Sequence, residues 1–166
     1  MLRTLHEAFA LKGNPKAALF IYAFRLSHAF TGNRVLLFLG FPIRYLYHIF
    51  FQWILGIDIP DRTVIGRGFI LFHGQGLVVN SATVIGKNVT LRQNTTIGNA
   101  RPDGPCPVLD DHVEVGANCV IVGDVRIGDH AVIAAGSVVR KNIPPHTLVA
   151  GNPARVVKRM RSSASH

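Results

Sequence analysis

The stretch LDDHVEVGANCVIVGDVRIGDHAVIAAGSVV, residues 109–139, decides how the rest of the chain is read. Leu109, Val115, Ile121, Ile127, Ile133 and Val139 recur in it at an unbroken spacing of six. A helix asks for apolar residues about every 3.6 positions and a strand every 2. A strict six, with the small or β-branched residues Val113, Cys119, Val125, Ala131 and Ser137 four positions after each aliphatic, predicts a solenoid in which every hexad is one short strand and one turn. Glycine follows the aliphatic at Gly116 and Gly128, and upstream at Gly66, Gly86 and Gly98, where a turn must bend tightly.

Working upstream, Ile85, Leu91 and Ile97 keep the period, and so do Ile65, Leu71 and Leu77, with a slip of two residues between 77 and 85. Ile97 and Leu109 are twelve apart, so the register survives there. Residues 99–107 nevertheless contain Pro102, Pro105 and Pro107 and are expected to loop out. Three hexads make one triangular coil, and 65–139 predicts about four coils. Each coil buries its aliphatics only against the next, so removing one branched side chain costs about 2–4 kcal/mol.

The 57 residues ahead of the solenoid differ in composition. Asn14-Pro15 reads as a helix start, an N-cap with proline at the first helical position. Leu19, Ile21, Tyr22, Phe24, Leu26 and Phe30 follow as a broad apolar face, and Gly32-Asn33 as a stop. A second apolar segment, 35–55, carries Pro42, Arg44, His48 and Gln52; the charge near its middle disfavours a membrane span. Packing against the solenoid or between subunits is expected for it, with a membrane-surface position as the alternative. The expected organisation is an α-helical region over 1–57, a β-helix over 58–150 with a loop at 99–107, and a C-terminal segment over 151–166 containing a short helix.

Eighteen Lys and Arg against nine Asp and Glu give a net charge of +9, compatible with an anionic partner such as a nucleotide-bearing cofactor or a membrane surface. The cations are spread out and no aromatic stacking platform accompanies them in the solenoid, which argues against nucleic acid. Cys106 and Cys119 form neither a disulfide framework nor a metal motif, and no metal is expected. Arg3, His6 and Glu7 interrupt any apolar run at the start, so no signal peptide is read and the cytoplasm is the expected compartment.

The hexads, with the closing stretch Ile143-Pro144-Pro145-His146-Thr147-Leu148-Val149-Ala150-Gly151-Asn152-Pro153-Ala154-Arg155, resemble the hexapeptide-repeat acyltransferases. That resemblance implies a left-handed parallel β-helix, a homotrimer, and acetyl-CoA as co-substrate in the groove between neighbouring solenoids. Gly56-Ile57-Asp58-Ile59-Pro60, Ile65-Gly66-Arg67-Gly68 and His73-Gly74-Gln75-Gly76-Leu77-Val78-Val79 are similar to the catalytic coil of serine acetyltransferases and of the related exopolysaccharide (colanic-acid type) acetyltransferases. In the serine enzymes an Asp and a His fifteen residues apart form the catalytic dyad, the spacing of Asp58 and His73 here. The chemistry suits the residue types: an imidazole takes the proton of a hydroxyl attacking a thioester, and a carboxylate orients the ring. By the same likeness Gly98, Gly116, Ala117, Ala134, Ala135 and Gly136 leave room for the pantetheine arm, and Arg140, Lys141, Arg155 and Lys158 are available for the CoA phosphates. Transfer in the family is direct, so neither cysteine is expected to act as nucleophile.

Two departures bear on the acceptor. The serine enzymes carry a Glu eight residues after the catalytic His and an Arg-His pair in the later loop; here those places hold Ser81 and the run Gly104-Pro105-Cys106-Pro107. A free amino acid buried without charged partners would be expensive to bind. Ile97-Gly98-Asn99, Cys106-Pro107 and the prelude Tyr22-Ala23-Phe24-Arg25-Leu26-Ser27-His28 instead resemble the polysaccharide branch. The expected function is acetyl transfer from acetyl-CoA to a sugar hydroxyl of a polysaccharide precursor, with Ser81, Asn99 and Cys106 toward the acceptor and peripheral contact with the inner membrane face. The alternatives are a serine acetyltransferase with an atypical pocket and a non-catalytic β-helix scaffold.

Overall fold

The computed structural model describes residues 14–160. Its centre is a parallel β-solenoid with three sheets as its sides. The first sheet stacks β1 (Ile57–Asp58), β4 (Leu77–Val79), β7 (Thr96–Gly98), β10 (Val120–Val122) and β13 (Val138–Val139). The second stacks β2 (Val64–Ile65), β5 (Val84–Ile85), β8 (Val108–Leu109) and β11 (Arg126–Ile127), and a parallel bridge from Ile127 to Ile143 adds one more level. The third stacks β3 (Ile70–Phe72), β6 (Thr90–Arg92), β9 (Glu114–Val115), β12 (Val132–Ile133) and β14 (Thr147–Ala150), with β15 (Arg155–Arg159) added at its edge. There are about five turns rather than four, because the coil opens at Ile57 and closes at Val149, beyond both ends of the period-six run.

Each strand turns two side chains inward, two positions apart, and these columns are the core. Ile59, Val79, Ile97, Ile121 and Val139 form one column of the first sheet, and Ile57, Leu77, Thr95, Cys119 and Ser137 the column beside it, all buried. The pairs also locate the slip seen in the sequence. Elsewhere in the first two coils an inward pair begins four residues after the last one ended, as from Ile65 to Phe69; from Leu71 to Leu77 the interval is six. The two extra residues therefore lie in the turn after Phe72, which contains His73. Pairing of Ile57 with Leu77 against that of Ile121 with Val139 records the same difference, a coil of twenty residues against one of eighteen.

The helices cover the first coil. Asn14 caps α1 (Pro15–His28) through the amide of Ala17 at 3.1 Å, and its own amide reaches the Leu71 carbonyl at 2.9 Å. The inner face of α1 carries Phe20, Ile21 and Phe24, and Phe20 meets Phe51 edge-on at 5.5 Å between centroids and Phe69 of the first coil at 6.5 Å. The second apolar segment is broken at Gly40 into α2 (Arg34–Leu39) and α3 (Phe41–Tyr47), which runs on as a π-helical segment His48–Ile54. A side chain at position 40 would collide with Phe30. Among the described residues no helix is long and apolar enough to cross a membrane.

A buried polar cluster holds helices and solenoid together. Asp61, 1% exposed, accepts hydrogen bonds from Arg44 Nε at 2.6 Å and from Ser27 Oγ at 2.7 Å, with His48 3.7 Å away. Burial by itself would raise the Asp61 carboxyl; the bonds from Arg44 and Ser27 and the charges of Arg44 and His48 outweigh it and hold the group below its ordinary value. Arg25 adds two bonds to the carbonyls of Ile65 and Gly66, at 2.6 and 2.5 Å.

The expected C-terminal helix is corrected in part. Arg155–Arg159 is a strand, antiparallel to β14, with Leu148 opposite Lys158. The reason is the open edge of the last coil, whose unpaired backbone groups take up an added strand, and Val156 and Val157 suit one. Residues 161–166 lie outside the described residues, as do 1–13 of the expected helical region.

Candidate active site

The widened turn after β3 lifts His73 clear of the solenoid. His73 has φ of +64°, and Gly74 and Gly76 follow at +73° and +65°. A left-handed backbone is not special in itself here, since Asn88, Asn94, His112, Asn118, His130 and His146 adopt it at other corners. What separates His73 from the other described histidines is its freedom. His28 bonds the Asp61 carbonyl, His48 bonds Gln52, and His112, His130 and His146 form a stack with centroids 4.3 and 5.0 Å apart. His73 is exposed, has no side-chain hydrogen bond among the described residues, and lines a groove of about 430 Å³.

That groove runs down the outer face of the third sheet. Besides His73 it is lined by Arg92, Gln93 and Glu114, and by Gly116, Ala117, Ala134 and Ala135. The last four are expected CoA-binding residues, and the structure brings them together with the expected base. Gly116 is required by close packing, because a Cβ there would lie 2.5 Å from the Ala135 nitrogen. Gly136, at φ +74°, sits at the next corner with open space around it.

Other predicted residues lie elsewhere. Arg140, Lys141 and Arg155 converge on a separate cavity of about 270 Å³ at the last coil, while Lys158 is exposed on β15. Ser81, Asn99 and Cys106 belong to turns at the opposite ends of the first-sheet strands from His73, and none of them lines its groove. Gly98 ends β7 at that same far corner. The loop there is tied down: Asn80 donates to Asn99 Oδ1 at 3.1 Å, and Asn99 donates to the Arg101 carbonyl at 2.5 Å. Asp58 is exposed on β1, one level from Val78, and shares no hydrogen bond or ion pair with His73.

The thiol of Cys119 is buried, donates to the Ala134 carbonyl at 3.2 Å, and is pushed up by burial, which keeps it protonated and unreactive. Tyr47 is likewise raised by burial and by the charges of Asp61 and Asp58, and its hydroxyl donates to the Ile59 carbonyl at 2.7 Å.

Arg92 and Glu114 were missed in the sequence, although the hexad register carried the signal. Each is adjacent to an inward residue, Leu91 or Val113 and Val115, and therefore points outward from the third sheet beside the small residues. Nothing in the pattern marked the Asp61 cluster, since its partners come from Ser27 and Arg44, 34 and 17 residues away.

The model for "Bacterial transferase hexapeptide (six repeats)" matches residues 107–141. A relative from Escherichia coli (strain K12), "Putative colanic acid biosynthesis acetyltransferase WcaB", is 40% identical over 116 residues, covering 69% of this chain and 72% of the relative. Serine acetyltransferase 4 of Arabidopsis thaliana is 35% identical over 145 residues, 86% of this chain but 39% of that enzyme. Among solved structures, the serine acetyltransferase of Brucella abortus strain S19 superposes with a TM-score of 0.77 at 26% identity, covering 96% of this chain and 67% of that one.

Proposed function

This chain belongs to the hexapeptide-repeat acetyltransferases, and on that footing we propose that it transfers acetyl from acetyl-CoA to a sugar hydroxyl of a polysaccharide precursor, with His73 as general base. The observation that carries the proposal is the uncommitted His73 at one end of a groove floored by Gly116, Ala117, Ala134 and Ala135. A hydroxyl is a poor nucleophile at neutral pH. His73 accepts its proton as it attacks the acetyl carbonyl, and returns that proton to the departing CoA sulfur. The small-residue floor admits the thin pantetheine arm. Asp58 is the proposed orienter of His73 and closes on the ring when substrates are bound, apo geometry often being loose.

We place the rest of the site between protomers. Ser81, Asn99 and Cys106 and the basic group Arg140, Lys141 and Arg155 are turned to other corners of the same solenoid, so a homotrimer would let one copy's loop and basic residues serve another copy's groove. Lys158, exposed on β15, is a further cation proposed for the CoA phosphates. The setting is the cytoplasmic face of a membrane, supported by the outer surface of α2, α3 and the π-helical segment. Phe38 and Trp53 are 81% and 84% exposed there, with Val35, Leu39, Phe41, Tyr45, Leu46 and Ile54 also exposed. No acidic residue occurs between Glu7 and Asp58, while Lys16 and Arg34 stand clear of the Asp61 cluster, a composition suited to anionic lipid. Co-sedimentation with phosphatidylglycerol vesicles, lost in Trp53→Ser, tests this; equal recovery with and without vesicles overturns it.

The second reading, serine acetyltransfer, is favoured by the superposed serine enzymes. Incubation with acetyl-CoA and either L-serine or a panel of glycans and nucleotide sugars, following release of free thiol, separates the two. Turnover with glycans and none with serine is expected; efficient turnover on serine would replace the first reading by the second.

A further inference from the structure

We infer that Arg92, held by Phe72, is an anion-binding subsite for the acceptor, so that the preferred acceptor bears an oxyanion, a carboxylate or a phosphate, close to the reacting hydroxyl. The inference rests on the acetyltransferase reading of the same groove. Phe72 and Arg92 are paired in register on adjacent coils of the third sheet, and the guanidinium lies over the Phe72 ring, 4.8 Å from its centroid. Phe72 immediately precedes His73, so the residue that positions the cation also leads into the turn that carries the base. Arg92 forms no salt bridge among the described residues, although Glu114 lines the same groove. A guanidinium held over an aromatic face and without a salt bridge has N–H donors to offer, and these suit bidentate capture of a carboxylate or phosphate.

The position of Arg92 argues against a role in holding the CoA phosphates. It lies on the second coil beside His73, whereas Gly116 and Ala134 floor the groove on the third and fourth coils. The basic cluster of Arg140 and Lys141 follows the fifth-coil strand β13, three levels below Arg92 and so roughly 14 Å along the stack at about 4.8 Å per level. The cation thus sits at the thioester end, where the acyl donor carries no negative charge in its ground state. The anion that it would meet belongs to the acceptor.

The test uses three monosaccharide probes with the full-length protein: methyl glucoside as the neutral acceptor, methyl glucuronide for a carboxylate and glucose 1-phosphate for a phosphate. Wild type is expected to show a lower KM for one or both anionic probes than for the glucoside, and their relative values identify which anion is read. In Arg92→Gln the KM of the preferred anionic probe should rise by roughly 10–100-fold, as for loss of a charge-assisted pair, and the preference over the glucoside should vanish; Arg92→Lys should recover part of it. Calorimetric titration of the anionic probes without acetyl-CoA reads the subsite independently of turnover. Arg92-dependent binding without any transfer would uphold the subsite and remove the acetyltransferase reading. No anion preference in wild type, a preference unchanged in Arg92→Gln, or a loss confined to kcat or to the KM of acetyl-CoA would overturn the subsite.

Discussion

Two corners of the molecule do the same geometric job differently. Between the third and first sheets, the later coils turn through a single left-handed residue, Asn94, Asn118 or Gly136. The first coil turns through His73, Gly74 and Gly76, with two residues more than the hexad needs. Regular corners close the coil with the fewest residues, and the residues at their tips, Asn94, Asn118 and Gly136, carry no titratable group. The enlarged corner gives up that economy and in return places an imidazole at the mouth of a groove. Stability is therefore distributed along the repeated coils, and chemistry is concentrated where the repeat fails.

The sharpest way to break this contrast is at His73. His73→Ala should lower turnover by about 10²–10⁴-fold if the residue is the base, with no change in thermal midpoint, because the side chain has no bonded partner among the described residues. An unchanged rate would move the chemistry to another corner. Truncation in a regular coil should do the reverse. Ile121→Ala, wholly buried in the fourth coil, should cost about 2–4 kcal/mol in denaturant unfolding while sparing kcat in the protein that remains folded.

The join between helices and solenoid comes next. Asp61→Asn should cost about 1–3 kcal/mol, the penalty for leaving a charged partner unmatched, since Arg44 would keep its charge without the carboxylate. The sign of the pH dependence follows from the depressed Asp61 carboxyl. Its contribution is present above the unfolded value of about 3.9 and is lost as pH falls through the lower folded value. Thermal midpoints measured from neutral to acid pH should fall more steeply in wild type than in Asp61→Asn; parallel curves would show that the cluster adds no pH-linked stability. The smallest effect is expected from His130→Ala, within about 0.5 kcal/mol, because the stack of His112, His130 and His146 stands largely in solvent.

How far the sequence could be read differed by residue. The inward aliphatics were legible because a solenoid repeats one local environment at a constant interval, so Ile121 and Ile133 announce the same structural position. The helix start at Asn14-Pro15 was legible for a similar local reason, since a cap needs only neighbouring residues. The two-residue slip was visible as an interval, but its place in the turn at His73 was not, because Leu77 satisfies the period on one side and Val79 on the other. The strand at Arg155–Arg159, within the segment where a short helix is expected, has no local signal, because an edge left open by coil stacking exists only once the stack is built.

The order of residues by itself determined the solenoid and the outward side of each strand, since those depend on spacing along the chain and on a side-chain alternation of period 2. Only the tertiary structure decided that Ser27 and Arg44 meet on Asp61, that Arg92 lies over Phe72 beside His73, and that Ser81, Asn99 and Cys106 face a different corner from the groove. Those relations join residues tens of positions apart, or depend on how many residues each corner consumes. A coil returns to the same corner after eighteen, twenty or more residues, and no local preference of a residue records which level of the stack it will reach.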